Sequence, residues 1–384
     1  MTCSKIDLAT AENWLSRHLL VRAFKQAILN DFTPEDLSYP PDANGNVKLL
    51  EALTHFFNFY FCPTIPVRSE HIAAGPGATF VLQNLLTQIC APGEAILVPA
   101  PYWSGFDFWL TRQSNITIIP VWSKELGKAP TAELVASLEE AADKADKPVK
   151  ALLITNPDNP IAHCYAPEVL CALVHFCRRR GLHYVSDEAY ALTTFPSETS
   201  SLDIPFTSVM SLPRYVIDSH LPYIHVIWSA SKAFGSSGAR LHNQPLKTAV
   251  ATASAINVSS FTSTAFSSLL QAKELEAIVG QNQTLIRTNC QVLTDYLKDR
   301  SIPFIQVHAG LFVLARLGAV VPRLKEEDLL NLLNSHGVTV GGGHAFHVNE
   351  SEHGWVRITF STELPVLVEG IRRIDRALFE IQRE

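Results

Sequence analysis

A few short stretches of this 384-residue chain carry side chains that could do chemistry together. The first is Ser229-Ala-Ser-Lys232-Ala-Phe-Gly-Ser-Ser-Gly-Ala-Arg240. It sets a primary amine after an apolar run, between serines and glycines. Taken alone, Lys232 could equally be a charge at a loop edge. Ser229, three residues earlier, and Arg240, eight residues later, supply a hydroxyl and a guanidinium suited to an anion such as phosphate. The second, Tyr184-Val-Ser-Asp187-Glu-Ala-Tyr190, ends an apolar run on a carboxylate, which is costly to bury unless paired. An N-cap is the competing role for Asp187. The third, Thr155-Asn-Pro-Asp-Asn159-Pro-Ile-Ala162, has two Asn-Pro pairs, a turn signal that also presents an amide.

Three further stretches extend the set. Gly75-Pro-Gly77-Ala78-Thr79 opens a helical pattern, where free backbone N–H groups can cradle a phosphate. Pro101-Tyr102-Trp103-Ser-Gly105 offers a flat aromatic face, although a plain core aromatic is the commoner role. Gly354-Trp-Val-Arg357-Ile-Thr-Phe sets an arginine inside an apolar strand, suited to a carboxylate or to a structural ion pair. One cofactor accounts for all of them, pyridoxal 5′-phosphate (PLP). It needs a lysine amine for its Schiff base, and the same amine moves protons at the substrate Cα. It needs a carboxylate beneath its ring nitrogen, so that the ring absorbs the Cα electrons. Tyr190 and Asn159 can reach its 3′ oxygen. The expected substrate is an α-amino acid.

The elements that must position these groups alternate. Helical patterns run over 49–60, 131–145 and 167–180, and a strand end, glycine turn and helix over 71–90. Strands are expected at 95–99, 116–120, 149–154, 183–186 and 224–228. Such alternation implies right-handed crossovers and a mostly parallel sheet, with ligands beyond the C-terminal strand ends. Asn156, Asp187 and Ser229 each stand just after a strand. Beyond residue 265 the pattern becomes a long helix over 267–300, strands at 304–307, 310–315 and 355–360, and helices near 326–336 and from 365. That is a smaller α+β domain. The expected division is 36–265 for the large domain, and 1–35 with 266–384 for the small one, residues 1–35 forming a short arm.

A formal charge of −6 leaves no basic footprint for nucleic acid. No apolar run suggests a signal peptide or a membrane span. Seven scattered cysteines without a C-x-x-C pair read as reduced thiols, with no metal site and a cytoplasmic setting.

Together these residues resemble fold-type I PLP enzymes of the class I/II aminotransferase family, over nearly the whole chain. The resemblance implies a large domain with a mostly parallel, seven-stranded type of sheet and a homodimer with shared active sites. It implies Lys232 as the Schiff-base lysine, Asp187 as the pyridinium partner, and Tyr190 and Asn159 on the 3′ oxygen. Trp103 takes the stacking place, Ala78, Thr79, Ser229 and Arg240 the phosphate places, and Arg357 the substrate-carboxylate place. Tyr39 resembles the tyrosine that reaches the neighbouring subunit's phosphate. Within the family the segments Ile6-Asp-Leu-Ala-Thr-Ala-Glu12-Asn13-Trp-Leu, Pro101-Tyr-Trp-Ser-Gly-Phe-Asp107 and Asn156-Pro-Asp-Asn-Pro160 are most similar to 1-aminocyclopropane-1-carboxylate (ACC) synthases. That likeness sets Glu12 and Tyr102 at the substrate. It implies cleavage of a carbon–sulfur bond of S-adenosylmethionine or a related substrate, by elimination, cyclisation or γ-replacement. Transamination to a 2-oxo acid and a cysteine-conjugate β-lyase are the alternatives. Besides a brief arm before Glu12, two departures stand out. Ile161-Ala-His163 follows where the family has a glycine, and the stretch after Arg240 is short enough to predict a missing strand.

Overall fold

In the computed structural model the residues described are 5–39, 45–123, 125–127, 131, 133–196, 204–239, 242–244, 258–349 and 352–381. The strands are β1 (Ile6–Asp7), β2 (Ala73–Gly75), β3 (Ala95–Ala100), β4 (Thr117–Trp122), β5 (Val149–Thr155), β6 (His183–Asp187), β7 (Ile224–Ser229), β8 (His242–Gln244), β9 (Phe312–Ala315), β10 (Val338–Thr339), β11 (Gly341–Gly342) and β12 (Val356–Thr359). The principal helices are α1 (Arg17–Asp31), α2 (Val47–Tyr60), α3 (Ala78–Ile89), α4 (Glu133–Lys144), α5 (Pro167–Arg180), α6 (Arg214–Ile217), α7 (Ala230–Ala233), α8 (Ser260–Gln271), α9 (Leu275–Asp299), α10 (Glu326–Ser335) and α11 (Leu364–Ile381).

Seven strands form the main sheet in the order β2-β8-β7-β6-β5-β3-β4. From β7 to β4 every pairing is parallel, and β8 runs antiparallel to both neighbours. Helices cover both faces, so the inner strands read as continuous apolar runs: β7 is buried throughout. Helix α5 starts with Pro167 and stops at left-handed Gly181, the asymmetry expected of helix ends. The register pairs Thr155 with Asp187 and Asp187 with Ile227. The chemistry-bearing residues therefore leave the sheet along one edge.

A second sheet, β11-β12-β9, is antiparallel, and β1 pairs with β10. Ile6, Leu8, Ala11 and Leu15 share one apolar cluster with residues of β9, β12, α10 and α11. The N-terminal segment is thus cemented to the C-terminal part of the chain. No described helix is long and apolar enough to cross a membrane.

The structure corrects four expectations. Residues 1–35 are more than a short arm, because α1 occupies 15 of them and packs on α8. The long helix over 267–300 is two helices, since Ala272 leaves helical conformation between α8 and α9. At 304–307 there is no strand, only a bridge from Phe304 to Ala315. The predicted missing strand is present as β8, reached within two residues of Arg240; three residues suffice to join β7 to β2. At the other departure, buried Ala162 takes φ 62°, a left-handed conformation glycine enters freely. The bend is kept without the glycine.

Candidate active site

Along that sheet edge lies a cavity of about 500 Å³. Lys232, Asp187, Tyr190, Asn159, Ser229, Ala78, Thr79, Trp103, Glu12 and Arg357 all line it. Residues more than 300 positions apart meet there because β12 and the N-terminal segment close over the sheet edge.

Strand β7 ends at Ser229, whose hydroxyl oxygen accepts from Ser231 N–H at 3.1 Å and so caps the short α7. That turn presents Lys232 Nζ, which donates to the Ala11 carbonyl at 2.7 Å. The loop is clamped from the arm: Asn13 Nδ2 donates to Lys232 O at 3.0 Å, and Arg17 Nε to Gly235 O at 3.2 Å. Gly235 has φ 56°, and a Cβ there would collide with Asn13 O, so the close approach demands glycine. Gly105 has a similar duty, since any Cβ there would overlap the Trp103 indole.

Asp187 ends β6, almost buried, its Oδ1 accepting from Ala189 N–H at 3.2 Å. Loss of solvent pushes its carboxyl up to about 6, against the pull of that N–H and of Lys232. The next residue, Glu188, points away to accept from Ser186 Oγ and Val209 N–H, each at 3.0 Å. Burial likewise drives the Tyr190 hydroxyl upward, opposed by Arg357. Helix α3 starts at Gly77 without a side-chain cap, so its first N–H groups face the cavity rim formed by Ala78 and Thr79.

Arg357 is 4% exposed. It donates to Asn159 Oδ1 at 2.8 Å and to Ala9 O at 2.6 Å. Its guanidinium lies 4.3 Å from the Phe346 ring centre and 4.6 Å from that of Phe312, and Nε has no partner. Burial pulls its pKa down to about 10. Among the described residues this buried cation is served by a carbonyl, an amide and two rings, and Asp7 is the anion that acts on it, without forming an ion pair.

Other expected residues lie differently. Glu12 reaches the rim, but its carboxylate pairs with Arg17 at 3.0 Å, and that guanidinium stacks on Trp14. Tyr102 does not line the cavity; its hydroxyl donates to Asp107 and its ring stacks on His347. Tyr39 is on the surface, 86% exposed. Arg240 lies outside the described residues. Thr10, Ser231, Ser237 and Phe346 also line the cavity and were not singled out from sequence. The serine-rich run around Lys232 held a signal for two of them, whereas Phe346 had none.

The donor set fits PLP. Buried Asp187 wants a cationic ring nitrogen, the uncapped start of α3 wants a phosphate, and Lys232 lines the same cavity. Asp187 gives a prediction with a sign. Its raised pKa makes the ionised form costly in the ligand-free fold, and a bound ring cation removes that cost. Cofactor affinity should therefore weaken as pH falls below about 6, by up to about tenfold per unit, because a proton must then be displaced. Titration between pH 5 and 7.5 checks this. Asp187→Asn should bind more weakly and lose that slope; an unchanged slope would refute the assignment.

Fold and site together define a PLP-dependent enzyme of fold type I. The chain belongs to the aminotransferase class I and II family, whose model matches residues 4–374. It is 37% identical to the probable aminotransferase aclI of Aspergillus oryzae, across 98% of this chain and 91% of that protein. To the human 1-aminocyclopropane-1-carboxylate synthase-like protein 1 it is 29% identical, across 97% of this chain and 76% of that one. Among solved structures it resembles an aspartate aminotransferase from Thermus thermophilus with maleate. The TM-score is 0.80 at 22% identity, over 97% of this chain and 92% of that one, a likeness of fold.

Proposed function

We propose that this enzyme binds a compact α-amino acid by its carboxylate, takes the Cα proton on Lys232, and breaks a carbon–sulfur bond in the side chain. The observation that carries the reading is Arg357, a buried cation with no ion pair among the described residues, Asp7 acting on it only at longer range, in the same cavity as Lys232 and Asp187. Arg357 orients the carboxylate, and Asn159 holds Arg357. PLP supplies the sink for the electron pair left at Cα. Lys232 Nζ holds the abstracted proton. When the Cβ–S bond breaks, its electron pair leaves with sulfur, and a proton completes the thiol. Water then releases the remainder as a 2-oxo acid and ammonia.

The side chain is argued from charge. Of the described lining residues, only Lys232 and Arg357 are cations. A distal carboxylate thus finds no partner from them. The Glu12 charge is taken up by Arg17, which favours a neutral thioether over a sulfonium such as S-adenosylmethionine. About 500 Å³ for cofactor and substrate together favours a compact molecule as well. Transamination is the second reading, supported by the fungal relatives' name of aminotransferase; there Lys232 would return the proton to C4′ of the cofactor.

A panel of S-substituted cysteines, methionine, S-adenosylmethionine and aspartate, with and without a 2-oxo acid, tests this. The expected result is free thiol, 2-oxo acid and ammonia without an acceptor. Amino transfer to the acceptor would decide for transamination, and aspartate as the best substrate would overturn the charge argument.

We further propose a homodimer, with bodies 36–265 and 1–35 plus 266–384 in each subunit and Tyr39 reaching the neighbour's phosphate place. Leu29, Leu37 and Tyr39 are 79%, 76% and 86% exposed, apolar side chains that a partner would cover. Sedimentation should give a dimer; a fully active monomer would exclude it.

A further inference from the structure

Two loops distant in sequence are tied together beside the cavity. One, residues 101–107, carries Trp103 into the cavity and ends at Asp107, the first residue of a π-helical turn. The other, residues 343–348, carries Phe346 over Arg357. Both oxygens of the Asp107 carboxylate are engaged, one inside its own loop and the other across the junction. Oδ1 accepts from the Tyr102 hydroxyl at 3.0 Å, and Oδ2 is 2.6 Å from His347 Nε2. The His347 ring stacks on Tyr102 with centroids 4.1 Å apart. Tyr102 N–H donates to Phe346 O at 2.9 Å, and Trp122 Nε1 to His347 O at 3.1 Å.

His347 makes these contacts from a left-handed backbone, φ 58°, directly after Phe346. Such a conformation is unfavourable for a non-glycine residue and persists where its surroundings fix it. The π-helical turn at Asp107 is a second irregularity of a kind frequent at functional sites. Neither residue is buried enough to be core: their side chains are 30% and 34% exposed.

We propose that Asp107 and His347 are positioning residues that lock the 343–348 loop onto the 101–107 loop, fix Phe346 against the Arg357 guanidinium, and thereby set substrate affinity. The pair touches neither the reacting atoms nor the cofactor places. It acts through Phe346, whose ring covers one face of the arginine and keeps water from it. The proposal rests on the reading that Arg357 holds the substrate carboxylate.

The test uses Asp107→Ala, His347→Phe and the double variant in the PLP-loaded full-length protein. His347→Phe keeps a stacking ring and removes the Nε2 partner. Each single variant should raise KM about tenfold, with kcat within about twofold of the parent, and the double should be no worse than Asp107→Ala alone, because that variant already breaks the contact His347→Phe removes. Hydrogen exchange should quicken in 101–107 and 343–348. A fall in kcat at constant KM, losses that multiply in the double, or unchanged exchange would each overturn the proposal. If a variant does not fold, Trp122→Phe removes the hydrogen bond to His347 O and should quicken exchange in 343–348; unchanged exchange there counts against the lock. The exchange readout needs no turnover. A parent protein that turns over no amino acid would therefore sink the proposed function while the lock is still judged.

Discussion

Lys232→Ala should lose at least about a thousandfold of turnover, because one side chain both anchors the cofactor and moves the proton at Cα. The structure supplies the reason that no neighbour substitutes. The loop bearing Lys232 is held by Asn13 and Arg17, and glycine at 235 lets the arm approach closely. Among the described residues lining the cavity, the other cation is Arg357, engaged by Asn159 and Ala9. Borohydride treatment of the parent should fix the cofactor on Lys232, read by peptide mapping, and the alanine variant should bind the cofactor only reversibly. Attachment at a different lysine, or substantial turnover by the variant, would falsify the assignment.

The second large effect is at Arg357. Arg357→Lys keeps a positive charge but has a single ammonium where the parent has a planar fork. Its three donors radiate from one nitrogen, so it cannot grip a substrate carboxylate bidentately while also serving Asn159 Oδ1 and Ala9 O. A lost charged hydrogen bond is worth ~1.5–3 kcal/mol, or about 10- to 150-fold in KM. Cofactor affinity should hardly change if Arg357 serves the substrate carboxylate as proposed. The measurement is a pair of titrations, one with PLP and one with a substrate amino acid. Equal losses in both would make Arg357 a structural residue, and an unaltered KM would remove it from the substrate site.

These expectations differ in how far the sequence could carry them. Asn156, Asp187 and Ser229 were legible because each follows an apolar run, and such runs are local. A residue just past a strand end in a parallel sheet reaches the ligand edge whatever its distant neighbours are. Asp187 and Glu188 show how fine that rule is. They are adjacent carboxylates, yet one lines the cavity and the other turns to Ser186 and Val209. Lys232 and the parallel sheet were legible on the same grounds.

What the sequence determined by itself was therefore the alternation of strands and helices in the large sheet and the cofactor chemistry, with candidate residues to serve it. These follow from backbone periodicity and side-chain type within a few residues. Only the tertiary structure decided the rest. It gave Glu12 to Arg17, turned Tyr102 from the cavity to Asp107 and His347, and left Arg357 buried with an unpartnered Nε. It also built β8 from three residues and let Ala162 make a bend without glycine. Each of these is a pairing or a backbone choice fixed by groups far away in the chain. Such partners leave no periodic trace in sequence, because they are selected by packing and by the cost of leaving a buried polar group unpaired.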